Sequence, residues 1–153
     1  MKKLLTLLFS LMLSFNSYGE WTLIHTDDDS TVYIDLNTIK KHNEFIYWWT
    51  MFDEEEDEQS AKAYLQGDCG ITRLKNLTVI SYSQSMGKGE ADTRASDNPE
   101  WSYQPPDSIF GFLLDTSCRL VEASAKEQQE IIEEIQSKEE LQRLLEIEEA
   151  IAK

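Results

Sequence analysis

Residues 44–52 constrain the fold more than any other stretch. They read Glu-Phe-Ile-Tyr-Trp-Trp-Thr-Met-Phe. Alternate side chains of a strand point to opposite faces, so Phe45, Tyr47, Trp49 and Met51 share one face. Ile46, Trp48, Thr50 and Phe52 share the other. A strand with one wet face would carry polar residues at every second position. This one carries almost none, which predicts cover on both sides. Its density of aromatic residues favours strand over helix. One face is expected to meet a helix, and the other the C-terminal tail or a second subunit. Most of these aromatics are expected to be core, with room for one exposed ring as an interface anchor.

The flanking sequence supplies further strands at residues 21–25, 31–36, 60–66 and 71–85, the last either one long strand or a bent pair. Residues 37–43 read as a short helical turn, and 86–101, with Gly87 and Gly89, as a long loop. Pro105-Pro106 halts regular structure, and Asp107 or Ser108 can cap a short helix running to about Cys118. Its inner stripe would be Ile109, Phe112, Leu113 and Thr116.

Residues 122–153 hold 10 acidic and 4 basic residues and no aromatic, Gly or Pro, a helical composition. Their apolar positions change side. At 100° per residue, Ile131, Ile132 and Ile135 centre on one face, and Leu141, Leu144, Leu145, Ile147 and Ile151 on roughly the opposite one. Ser137-Lys-Glu-Glu between them matches a capping box. The tail is therefore two helices broken near Ser137, or one helix that changes contacts along its length. Leu141, Leu144, Leu145 and Ile151 form a candidate docking stripe for a protein partner or another copy of the chain.

The N-terminal segment points to export. Lys2 and Lys3 precede an apolar run of 12 residues, 4–15, and Ser17 and Gly19 fit a signal-peptidase site before Glu20. A run this short does not span a bilayer, which takes about 20 apolar residues. No later stretch is apolar enough to span one. With no Cys near the expected cleavage site, a periplasmic or secreted product is expected, without a lipid anchor. Removing residues 1–19 takes away two lysines and leaves 12 basic against 29 acidic residues, a net −17. Such a charge argues against nucleic acid or anionic lipid as partner. Cys69 and Cys118, the only cysteines, both lie in the exported part and favour a disulfide over two buried thiols.

Chemistry-bearing patterns are sparse. No serine sits in a nucleophile elbow, and His25 and His42 have no ligand-spaced neighbours. The acidic runs 27–29 and 53–58 lack the spacing of a calcium loop and read as solvated loops. No catalytic, cofactor or metal residues are expected. A small hydrolase or enzyme inhibitor is the weakest of the functional alternatives.

The order of features resembles a known family. Trp21 opens the mature chain. Tyr33-Ile34-Asp35 and Thr38-Ile39-Lys40-Lys41 follow, then the aromatic strand ending Phe52-Asp53. Ser60-Ala61-Lys62 precedes Asp68-Cys69, and Tyr82-Ser83 leads into Met86-Gly87-Lys88-Gly89. Trp101, Pro106-Asp107-Ser108 and Cys118 complete the series. Over residues 20–120 this is similar to the surface-adhesin protein E-like domain of Gram-negative bacteria. The resemblance implies an α+β fold: an antiparallel sheet with a short helix tethered to it by the disulfide. To this the sequence adds a C-terminal helical extension, giving a β-rich domain at 20–122 and an acidic tail at 123–153. The resemblance also implies a non-enzymatic adhesin-like role toward a protein partner. The alternative is a periplasmic accessory or assembly protein whose tail docks onto its partner.

Overall fold

The computed structural model describes residues 21–27, 30–54 and 58–152. The expected leader, 1–19, lies outside these, as do parts of both acidic runs. One antiparallel sheet is built from β1 (Trp21–Thr26), β2 (Ser30–Asp35), β3 (Lys40–His42), β4 (Phe45–Glu54), β5 (Gln59–Asp68), β6 (Arg73–Gln84), β7 (Lys88–Ala95) and β8 (Ser102–Tyr103). The strand order is β1-β2-β4-β5-β6-β7, with β3 extending the β2 side of β4 and β8 the β7 side of β6. Two helices follow, α1 (Ile109–Glu122) and α2 (Ala125–Ala152).

The aromatic strand β4 sits at the centre of the sheet, paired with β5 along its length from Ile46↔Gly67 to Glu54↔Gln59. That register puts Ile46, Trp48 and Thr50 on the face of Leu65 and Ala63, and all five are buried. Helix α1 covers this face with Leu113, Leu114 and Leu120. Gly67 lets it approach closely, since a Cβ there would lie 2.5 Å from Leu114 Cδ1 and 2.9 Å from Trp48. Ser108 caps α1, its Oγ accepting from Gly111 N at 3.0 Å. A disulfide between Cys69 and Cys118, Cα atoms 5.9 Å apart, ties the turn after β5 to the last turns of α1. A Lys41–Glu122 ion pair holds the end of α1 to β3.

The tail is one helix, α2. The capping box expected at Ser137 lies instead at Ser124, whose backbone N donates to Glu127 Oε2 at 2.8 Å. Ser137 turns its hydroxyl back onto the carbonyl of Glu133, 2.7 Å away, so it is absorbed into the helix. The Lys138–Glu134 pair at i,i+4 also spans this position, so of the two alternatives the single helix that changes contacts is the one found. What changes at Ser137 is the contact. Ile132 and Ile135, each 5% exposed, join the core beside α1. Every residue from Glu140 to Ile151 is exposed.

Two other sequence expectations need correction. Residues 88–95, read as part of a loop, form β7. All eight are exposed at a sheet edge, so no apolar alternation marks them. Residues 37–43 form a 3-10 turn, Leu36–Thr38, and then strand β3.

Candidate functional site

Both helices pack on one face of the sheet. Among the described residues no helix lies over the other, so the tail does not cover the second face of β4. That face carries Phe45, Tyr47, Trp49 and Met51 from β4, and Lys62, Tyr64 and Gln66 from β5. Strand β6 adds Arg73, Lys75, Ile80 and Tyr82. Phe45, Tyr47 and Trp49 are half-buried, and only Met51 is fully so. These side chains cover one another. Trp49 stacks on Tyr64 with centroids 5.1 Å apart, and Tyr47 lies 6.2 Å from the same ring.

Cations stand at both ends of this aromatic row. At one end the Lys62 ammonium lies 5.3 Å from the Trp21 ring centroid and 4.9 Å from that of Tyr82. Trp21 belongs to edge strand β1, so its indole reaches across two strands to meet a residue of β5. At the other end Trp101, which also packs on Phe45, carries Arg73 at 4.4 Å and Lys75 at 4.6 Å. Aromatic faces attract cations through their quadrupoles, which holds these side chains in place and leaves their charge in force.

The carboxylates of this face are already engaged. Asp68 pairs with Arg73 at 3.1 Å, Asp35 accepts from Asn37 N at 3.1 Å, and Asp53 accepts from Met86 N at 2.8 Å. Lys62 and Lys75 have no carboxylate within ion-pair distance among the described residues. Asp35 and Asp53 keep their charge when bonded to backbone N–H groups, so Lys62, Arg73 and Lys75 stand against Asp35, Asp53 and Asp68, and this surface is near charge balance in a chain of net charge −15. The sequence signalled the aromatic half of this site. It did not signal the cations, which come from two strands and meet the aromatic row only through the register.

The positions named from the sequence as a docking stripe lie elsewhere, on the free half of α2. Leu141, Leu144, Leu145 and Ile151 are 58%, 50%, 49% and 81% exposed. The two surfaces do not meet within one molecule. Near the point where the stripe begins, Glu139 fastens α2 to β1, accepting from Thr26 N at 2.9 Å and lying 3.2 Å from His25 Nδ1. Gln136 donates to the Leu23 carbonyl at 3.2 Å.

Among the described residues, no group of three or more His, Cys, Asp or Glu is placed to hold a metal ion. No described helix is long and apolar enough to cross a membrane.

These features define a class: an antiparallel sheet backed on one face by helices, closed by a sheet-to-helix disulfide, with an open aromatic second face. Residues 21–119 match the family described as surface-adhesin protein E, and the chain belongs to it. No curated protein sequence matches the chain. Solved structures of protein E from Haemophilus influenzae share the fold. The non-typeable strain's protein is 13% identical, with a TM-score of 0.55 over 79% of this chain and 92% of that one. A second crystal form is 14% identical, with a TM-score of 0.54 over 69% and 91%. Another protein E structure is 15% identical, with a TM-score of 0.53 over 67% and 89%.

Proposed function

We propose that this chain is an exported, non-enzymatic binding domain that engages a protein partner through the open face of its sheet. Family membership supports the adhesin-like role, and the leader-like N-terminus supports export to the periplasm or beyond. The observation that carries the reading is the row Trp21, Tyr47, Trp49 and Tyr64 with Lys62 and Lys75 held against aromatic rings beside it and, among the described residues, without a carboxylate partner. Trp, Tyr and Arg are the residues enriched in interface hot spots, and this face presents Trp49, Tyr47 and Tyr64 with Arg73 held on Trp101. The surface fits a partner that is apolar at its centre and places hydrogen-bond acceptors against Lys62 and Lys75.

The test is capture by immobilised chain 20–153 of purified host matrix proteins and of periplasmic proteins. Wild type is compared with Trp49→Ala and with Lys62→Glu/Lys75→Glu. Loss of capture in both variants, with melting of the charge variant unchanged, supports the reading. Capture that survives both variants sinks it.

A further inference from the structure

We infer that the turn at Met86–Gly87 is a positioning device for the open face: it holds the Lys62 ammonium in place as a hydrogen-bond donor to the partner. This rests on the reading of that face as the binding surface and assigns one job within it.

The turn joins β6 to β7, but it is bonded to other strands. Asp53 of β4 and Ser60 of β5 lie on the open face, in step with Met51 and Lys62 along their strands. Both reach the turn. Met86 N donates to Asp53 Oδ1 at 2.8 Å, and Gly87 N donates to Ser60 Oγ at 2.9 Å. The buried Ser60 hydroxyl donates onward to the Gln84 carbonyl at 2.6 Å. The tip of the hairpin is thereby folded over β5 and onto the end of β4.

Backbone strain marks the same place. Met86 has a φ of 57° and Gly87 one of 68°. A methionine rarely enters the left-handed region, and such residues persist where the surroundings fix them. The bonds to Asp53 and Ser60 do the fixing here.

What the turn encloses is Lys62. A Cβ built on Gly87 would lie 2.6 Å from both Cε and Nζ of Lys62, so the ammonium stands where only a glycine leaves room. Its other neighbours are the rings of Trp21 and Tyr82, at 5.3 and 4.9 Å. Among the described residues Lys62 donates no hydrogen bond and has no carboxylate partner. Ring faces orient an ammonium without supplying a lone-pair acceptor for its three donors. A lysine is a flexible side chain, and ordering one on binding opposes association. Lys62 is ordered beforehand, with its donors open to an acceptor oxygen of the partner.

The experiment separates this role from that of an ordinary turn glycine. Asn tolerates positive φ, so Gly87→Asn keeps the turn and changes what Lys62 meets. The added side chain displaces only the far end of Lys62, which has room to swing aside. Ser60→Ala loosens the turn without adding an atom, and it serves if Gly87→Asn disturbs melting. Chain 20–153 of wild type and both variants is acetylated with N-hydroxysuccinimidyl acetate, and the rate at each lysine is read by peptide mass spectrometry. Capture of protein partners is measured on the same three chains.

In both variants the Lys62 rate is expected to rise about two- to fivefold, the size of one exposed cation–π contact. The exposed Lys40 is expected to react at its wild-type rate. Capture is expected to weaken by a similar factor. A Lys62 rate equal in all three chains overturns the inference, because the turn then holds nothing. A raised rate with full capture overturns the donor role and leaves the reading of the face to Trp49→Ala. A wild type that captures nothing overturns both the donor role and the proposed function, and the acetylation rates still show whether the turn holds Lys62.

Discussion

Helix α2 makes a sharp prediction, because one continuous element is structural in its first half and free in its second. Ile132→Ala removes three carbons from a side chain that is 5% exposed and packed in the core. Transfer alone, at about 0.8 kcal/mol per CH2, gives roughly 2.4 kcal/mol. The space left beneath α2 adds to this, and measured Ile→Ala losses run about 2–5 kcal/mol. A loss near 3 kcal/mol lowers the melting temperature of a domain this size by about 10 °C. Leu144→Ala, with half its surface exposed, is expected to change stability by less than about 0.5 kcal/mol. The assay is thermal unfolding by circular dichroism at low protein concentration, where self-association adds nothing to the apparent stability. Equal effects of the two substitutions would refute the division of the helix. So would an Ile132→Ala chain that melts like wild type.

The remaining expectations concern the frame that holds the site. Replacing Cys69 and Cys118 with Ser opens a link spanning 49 positions, for which chain entropy predicts a loss of about 4 kcal/mol, readable by urea titration of oxidised and double-variant chains. Gly67→Ala puts a methyl against Leu114 and Trp48 and is expected to cost about 1–3 kcal/mol; an unchanged urea midpoint would show that α1 is not seated that closely. The Thr116 hydroxyl is buried with no partner among the described residues, so Thr116→Val is expected to raise stability by about 1 kcal/mol, and a lower melting temperature would mean the hydroxyl is satisfied. Hydrogen bonds from the Ser124 side chain and backbone hold the Glu127 carboxyl below the usual carboxylate range. Its contribution to the start of α2 is therefore complete above the unfolded-state pKa and lost as pH falls through the lower folded one, a titration that carboxyl NMR would follow; a Glu127 titrating in the ordinary range counts against the capping box.

Much of the fold was legible because period and composition agreed. The aromatic strand, the capped helix after Pro106 and the helical tail each rest on a pattern that one element alone can satisfy. Reversal of the tail's apolar stripe was also readable, and it corresponds to the real change from packed to exposed. Of the two readings open at Ser137, a break and a change of contact along one helix, the second holds, because Ser-x-x-Glu fits a helix start and a helix interior alike. What decides is whether the hydroxyl points forward to an amide or back to the Glu133 carbonyl. Strand β7 was missed for a different reason. It earns its place by backbone pairing with β6 alone, and polar edge strands leave no trace in hydropathy. The open face was half visible. Aromatic residues at every second position could be read directly, but their lack of cover by the tail depends on which side of the sheet α2 packs. The convergence of Lys62 and Lys75 on the same row depends on a pairing register that no local pattern states.

The fastening of β1 to α2 bears on how such a domain would carry load. A pull applied ahead of Trp21 would peel β1 from β2 one rung at a time, the weakest geometry a sheet offers. Before the strand could come away, the indole seated beside Lys62 and then the bonds from Gln136 and Glu139 would each have to give. These restraints come in series along the strand. The disulfide, by contrast, joins the turn after β5 to α1 and lies off this line of force. Resistance to rupture would then be set by the rate of opening at that edge, and the cross-link would hold the rest of the domain as a preformed template from which β1 re-zips once tension falls.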